Sequence, residues 1–73
     1  MSQWRKMTYS LESERWEVHM DGWFASYHCG ESLMIRIGDK GIACRMEYDQ
    51  EWYVIMKEAR FNLRKKDTYQ VIY

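Results

Sequence analysis

The sequence predicts an all-β domain, and three observations carry that expectation. Proline is absent. The β-favouring residues Tyr, Trp, Val, Ile and Thr fall in short runs. Within those runs apolar and polar residues alternate with the two-residue period of a half-buried strand.

The runs follow one another along the chain. An N-terminal strand is expected over about Trp4–Tyr9, closed by the polar turn Ser10–Glu14. In Arg15–Met20 one face holds Trp16, Val18 and Met20, and the other Arg15, Glu17 and His19. Asp21-Gly22 then signals a turn. Leu33, Ile35 and Ile37 form the next apolar set, and Gly38-Asp39-Lys40-Gly41 reads as a tight hairpin. Ile42, Cys44, Met46 and Tyr48 face away from Ala43, Arg45 and Glu47. After Asp49-Gln50-Glu51 comes Trp52, Val54 and Met56, with Tyr53 and Ile55 making that strand apolar on both sides. Lys65–Asp67 precedes a final run of Tyr69, Val71 and Tyr73. Helix-forming residues do occur in Glu51–Lys65, and a helical turn near Glu58–Arg64 is the competing reading. However, Trp52-Tyr53-Val54-Ile55 favours a strand, and no N-cap opens a 3.6-residue apolar stripe.

Six to seven short strands at near-regular spacing predict an SH3-like barrel or a compact antiparallel meander. A chain of 73 residues is read as a single β domain over 1–73. Hydrophobic residues make up 47 % and aromatics 16 %, enough for a dense small core. Charged residues at 30 % give neither a disordered profile nor an apolar span of the roughly 20 residues that cross a bilayer. No apolar stretch follows the first charges, so a cytoplasmic location without membrane contact is expected. Cys29 and Cys44 are expected to be free thiols, Cys44 in the core.

The segments His28-Cys29-Gly30-Glu31, Arg45-Met46-Glu47-Tyr48 and Trp52-Tyr53-Val54-Ile55 together resemble a family of short proteins from Gram-positive bacteria, their phages and other mobile elements. That family is catalogued as a domain of unknown function. Its pattern is a hairpin, a Cys-Gly-Glu or Cys-Gly-Asp turn, a strand, then an Arg-x-Glu strand and a Trp-Tyr-x-Val strand, and the likeness spans about Met7 to Tyr73. It implies a small β domain and a phage or mobile-element origin, and brings no catalytic residue. Small proteins of such origin are often inhibitors of host defence, anti-CRISPR proteins among them.

Chemical sites are poorly supported. His19, His28, Cys29 and Cys44 reach the ligand count of a structural zinc, but their spacing is wrong and no metal or other cofactor is expected. Cys29 beside His28 has the makings of a nucleophile, yet no Asn or Asp stands out to orient the base. Glu47, Asp49 and Glu51 read as a solvated turn. No enzymatic activity is expected.

Binding is the better expectation. Eleven Lys and Arg balance eleven Asp and Glu, a net charge of zero. The distribution is uneven. Lys57, Arg60, Arg64, Lys65 and Lys66 stand close together, while Glu12, Glu14 and Glu17, then Glu47, Asp49 and Glu51, form acidic groups. Twelve aromatic rings exceed the needs of so small a core, and Trp4, Trp23, Phe24, Tyr27 and Tyr53 are those the alternation leaves unplaced. The leading expectation is a protein partner, such as a nucleic-acid-handling defence protein, met by an aromatic surface of Trp23, Phe24, Tyr27 and Tyr53. The same rings would also suit a homodimer interface. The alternative is RNA or single-stranded DNA bound by Arg60, Arg64, Lys65 and Lys66. An acidic face imitating nucleic acid toward a basic protein is a further variant.

Overall fold

The computed structural model describes residues 3–57 and 59–73. Eight strands form one antiparallel sheet: β1 (Arg5–Ser10), β2 (Arg15–His19), β3 (Phe24–Ser26), β4 (Ser32–Ile37), β5 (Lys40–Asp49), β6 (Glu51–Met56), β7 (Ala59–Asn62) and β8 (Tyr69–Ile72). Their order in the sheet is β3-β2-β1-β8-β4-β5-β6-β7. No helix occurs among the described residues.

The alternation read from the sequence becomes the two faces of this sheet. Met7, Trp16, Val18, Leu33, Ile35, Cys44, Met46, Trp52, Val54 and Val71 all turn inward and form the core. Registers such as Met7↔Val18, Leu33↔Cys44 and Met46↔Val54 set these apolar residues opposite one another on that face.

β5 produces the curl. Its first part, Lys40–Arg45, pairs with β4, and its second, Arg45–Asp49, pairs with β6. The sheet therefore bends along this ten-residue strand and the two halves pack inner face to inner face. Rings link the halves: Tyr9 to Trp16 and Trp16 to Tyr69 at 5.5 Å, then Tyr69 to Phe61 at 5.9 Å. Phe61 stands on β7 and Tyr69 on β8, four places apart in the sheet, so only a strongly curled sheet brings them together.

Two expectations are corrected. The sheet is not closed: β3 and β7 end it and do not pair with each other among the described residues, so the SH3-like barrel is replaced by an open curled sheet. The strands number eight rather than six to seven, because β3 and β7 are added at the edges. The region near Glu58–Arg64, where a helical turn was the competing reading, forms a strand over Ala59–Asn62; Glu58 lies outside the described residues. Pairing of Val54 with Phe61 and Ile55 with Arg60 overrides the local helix propensity.

The β4–β5 hairpin turns through Gly38 and Asp39, with Gly38 at φ 65°, a left-handed conformation that glycine adopts without steric cost. Gly41, in contrast, is not part of the turn. It lies within β5 opposite Arg36.

Candidate functional site

The outer face of β4–β7 carries the side chains that alternate with the core: Ser32, Met34 and Arg36 on β4, Gly41, Ala43, Arg45 and Glu47 on β5, Tyr53 and Ile55 on β6, Arg60 and Asn62 on β7. Arg45, Ile55 and Arg60 stand directly opposite one another across three strands. Glu47, Tyr53 and Asn62 form the next row.

Two rings on this face are each met by a guanidinium. Arg60 lies 3.7 Å from the centre of the Tyr53 ring, and its Nη2 donates to Asn62 Oδ1 at 3.5 Å. Arg36 lies 5.9 Å from the centre of the Trp4 ring. Trp4 immediately precedes β1, and its indole extends across the outer face as far as Gly41 of β5. Between the two pairs Arg45 donates to Glu47. Two shallow depressions of about 250 and 240 Å³ flank Ile55, the first bordered by Ala43, Arg45 and Lys57, the second by Lys57, Ala59 and Arg60. Lys6, on the outer side of β1, pairs in register with Gln70.

Charge on this face is graded. The carboxylates of Glu47, Asp49 and Glu51 gather toward the β5–β6 hairpin tip, while Lys6, Arg36, Arg45, Lys57 and Arg60 occupy the remainder. Of the basic cluster expected along the chain, only Lys57 and Arg60 belong to this gradient; Lys6, Arg36 and Arg45 supply the rest of its positive side. The gradient arises because period-two alternation puts every second residue of adjacent strands on one side.

The residues singled out from the sequence separate into several places. Trp23 and Phe24 are exposed, Trp23 beside the edge strand β3 and Phe24 on it, with Phe24 packed edge-on against His19 at 4.9 Å. Tyr53 is on β6, far from them in the sheet order. Tyr27 belongs to none of these surfaces. It is 1 % exposed, packs on Tyr73 and lies within the core, so the exposed aromatic loop expected over Trp23–Tyr27 stops short of it. Ala25 already points inward on β3, and Tyr27 continues its phase. Burial, followed by the nearby ionisable Tyr73, Cys44 and Glu31, holds the Tyr27 phenol well above its usual range. Its Oη has no hydrogen-bond partner among the described residues.

The basic set divides too. Arg60 is on the outer face. Arg64, Lys65 and Lys66 lie in the loop before β8, where Arg64 is 3.7 Å from Asp67 and Lys65 sits 5.0 Å from the centre of the Tyr9 ring. Lys65 borders a cleft of about 320 Å³ with Tyr9, Ser13, Glu14, Arg15, Tyr48 and Trp52. Glu51 shares a neighbouring depression with Arg64, Lys65 and Lys66. Glu14, Glu51 and Asp67 therefore interleave with the loop cations, and this region offers no uniform positive potential.

The metal and nucleophile candidates are dispersed. His19 bonds to Thr8 Oγ1 at 2.8 Å, His28 stands 3.7 Å from Glu31, Cys29 is exposed, and Cys44 is buried on the inner face. Burial pushes the Cys44 thiol up, opposed by a hydrogen bond with the Ile35 backbone. Among the described residues no group of three or more His, Cys, Asp or Glu side chains is placed to hold a metal ion.

Arg36, Arg45, Lys6 and Gly41 were not singled out from the sequence. The signal for Arg45 lay in its alternation opposite Cys44 and Met46, and Trp4 was already among the unplaced rings.

An open, curled antiparallel sheet with a basic, ring-bearing outer face defines the architecture. The chain belongs to the family described as Domain of unknown function (DUF5348), which matches residues 5–73. The fold is similar to that of a crystal structure of a protein from Ruminococcus gnavus determined by the Northeast Structural Genomics Consortium. The TM-score is 0.76 at 23 % identity, covering 97 % of this chain and 100 % of that one. No curated protein matches the chain.

Proposed function

We propose that this chain is a non-catalytic binding domain whose outer face on β4–β7, completed by Trp4 and Lys6, takes single-stranded nucleic acid. The observation that carries this reading is the pairing of outer-face rings with guanidinium groups: Tyr53 with Arg60 on the adjacent strand, and Trp4 with Arg36 across β8. Bases stack on ring faces irrespective of sequence, and phosphates between them need cations at intervals along the same surface. Arg45 and Lys57 lie between the ring pairs and meet that need. A net charge of zero does not oppose this reading, because local potential at a surface guides a charged ligand, and Lys6, Arg36, Arg45, Lys57 and Arg60 share this face.

A direct test is the anisotropy of fluorescein-labelled RNA and DNA oligonucleotides, single-stranded and duplex, titrated with the protein. Single strands should bind and duplexes should bind more weakly, since paired bases cannot reach the rings. Absence of binding to either single strand at about 50 mM salt would overturn the reading.

One observation favours a second reading. Trp23 and Phe24 are adjacent, 56 % and 59 % exposed, and at an open sheet edge. Edge strands pair with further chains, and exposed rings beside them supply contact area. Here the partner is a protein, or a second copy, and inhibition of a host defence protein by a phage or mobile-element product belongs to this reading. Trp23→Ala with Phe24→Ala should then abolish capture of that protein, or dissociate the dimer, and leave oligonucleotide binding intact.

A further inference from the structure

The indole of Trp4 reaches Gly41, although β1 and β5 are three places apart in the sheet. A Cβ at position 41 would fall 2.8 Å from Met34 Sδ and 3.0 and 3.1 Å from Trp4 Cη2 and Cζ2. Gly41 has no left-handed conformation to explain it, and it lies in a regular antiparallel ladder opposite Arg36. In such a strand glycine weakens pairing and commonly marks a close approach. What approaches here is the Met34 thioether, nearest, with the indole of Trp4 beside it.

Arg36 is fixed beside that ring. Its Nε donates to Gly38 O at 3.1 Å and its Nη1 to Gln70 Oε1 at 2.9 Å. Two bonds set the plane of the guanidinium, and Nη2 remains to meet an anion. Lys6 stands directly opposite Gln70 on β1, so a second cation adjoins the same place. A planar ring, an oriented guanidinium and an ammonium group thus converge on a surface that is partly open at Trp4 and exposed at Arg36 and Lys6.

We infer that Trp4, Arg36 and Lys6 form a single-nucleotide subsite, and that Gly41 is the positioning residue that lets the indole lie flat enough to receive a base. The base stacks on the indole, and its flanking phosphate is held by Arg36 Nη2 with Lys6 beside it. This subsite rests on the nucleic-acid reading above and locates one nucleotide within it.

The test is a double-mutant cycle on Trp4→Leu and Gly41→Ala, read by the Kd for a labelled single strand of about 12 nucleotides. Each single variant should raise Kd about tenfold, the range expected for loss of one stacked base. Together they should raise it no further than Trp4→Leu alone, because the added methyl acts on the base through the ring, and the Met34 thioether it also meets is the movable end of a flexible side chain. The slope of log K against log salt should be unchanged in Trp4→Leu and reduced by about 0.7 in Arg36→Gln, the loss of one single-strand phosphate contact. This second readout stands even where Gly41→Ala fails to fold. Wild-type affinity in a folded Gly41→Ala, full additivity in the cycle, or an unchanged slope in Arg36→Gln would each overturn the subsite and leave the broader reading intact. Failure of the wild type to bind any single strand would overturn both.

Discussion

The two faces of this sheet use aromatic rings in opposite ways. On the inner face Tyr9, Trp16, Tyr69 and Phe61 touch one another in a continuous series. On the outer face Trp4 and Tyr53 touch guanidinium groups instead. Ring-on-ring contact in a core uses the π surface for stability, with edge-to-face pairs adding roughly 0.5–1.5 kcal/mol to their burial. A ring against an exposed arginine gives less to stability; at Tyr53 the guanidinium covers that face, so a base stacks there on the guanidinium plane or in its place. The excess of aromatics, noticeable in the composition, is thus divided by the pleat between a ring-on-ring core and an outer face where rings meet arginines.

The sharpest way to break this comparison is to remove one ring from each face. Trp16→Ala should destabilise the domain by about 3–5 kcal/mol in urea unfolding, because a fully buried indole leaves a cavity the sheet cannot collapse to fill. Tyr53→Ala should cost less than about 1 kcal/mol in the same measurement, yet raise the Kd for a single strand about tenfold. Equal losses of stability in the two variants would show that the outer rings are structural after all.

A smaller effect is expected within the core. Tyr27 buries a phenol whose Oη has no partner among the described residues. Tyr27→Phe should therefore be neutral or stabilising by up to about 1 kcal/mol near neutral pH. Its pH dependence follows from the raised proton affinity. In the unfolded chain Tyr27 titrates near 10.0 and Cys44 near 9.0, whereas in the folded state both hold their protons to higher pH. Stability is then complete below those values and falls as pH rises past them, because the unfolded state binds fewer protons. Denaturant midpoints measured from pH 8 to 11 should fall less steeply in Tyr27→Phe than in the wild type. The smallest contrast concerns the thiols: Cys29 should react with a thiol reagent at least about tenfold faster than the buried Cys44 in the native protein.

Much of the fold was legible because burial in a sheet repeats every two residues. β1, β2, β4, β5, β6 and β8 carry enough alternating positions for the period to show. β3 spans Phe24–Ser26, too short for a period, and Phe24 faces outward where an apolar residue suggests a core. β7 has a weak apolar pattern, and its strand form depends on pairing with β6. The position of β8 between β1 and β4 comes from contacts distant in sequence, and no local pattern encodes them. Openness of the sheet is of the same kind: strand count and spacing are shared by open and closed sheets.

The candidate surface was legible in part. Trp4 and Tyr53 were correctly left outside the confident core, and Arg60 was among the basic candidates. Tyr27 was misplaced because a run of mixed aromatics after Asp21-Gly22 conceals the inward phase that Ala25 begins. Arg64, Lys65 and Lys66 looked like the main basic element because charge was read along the chain, whereas folding sets Glu51 and Asp67 among them. Gly41 read as part of a turn, since nothing in the sequence tells that an indole from the N-terminus lies over it.

The central claim is that the outer face binds single strands through ring stacking and a limited set of phosphate contacts. Its most direct test is the Kd of the wild-type protein for a labelled single strand between about 50 and 200 mM salt. With Arg36, Arg45, Lys57 and Arg60 each meeting one phosphate, log K should fall linearly with log salt at a slope of about −3. Binding that does not respond to salt, or no binding at the lowest salt, would contradict the account.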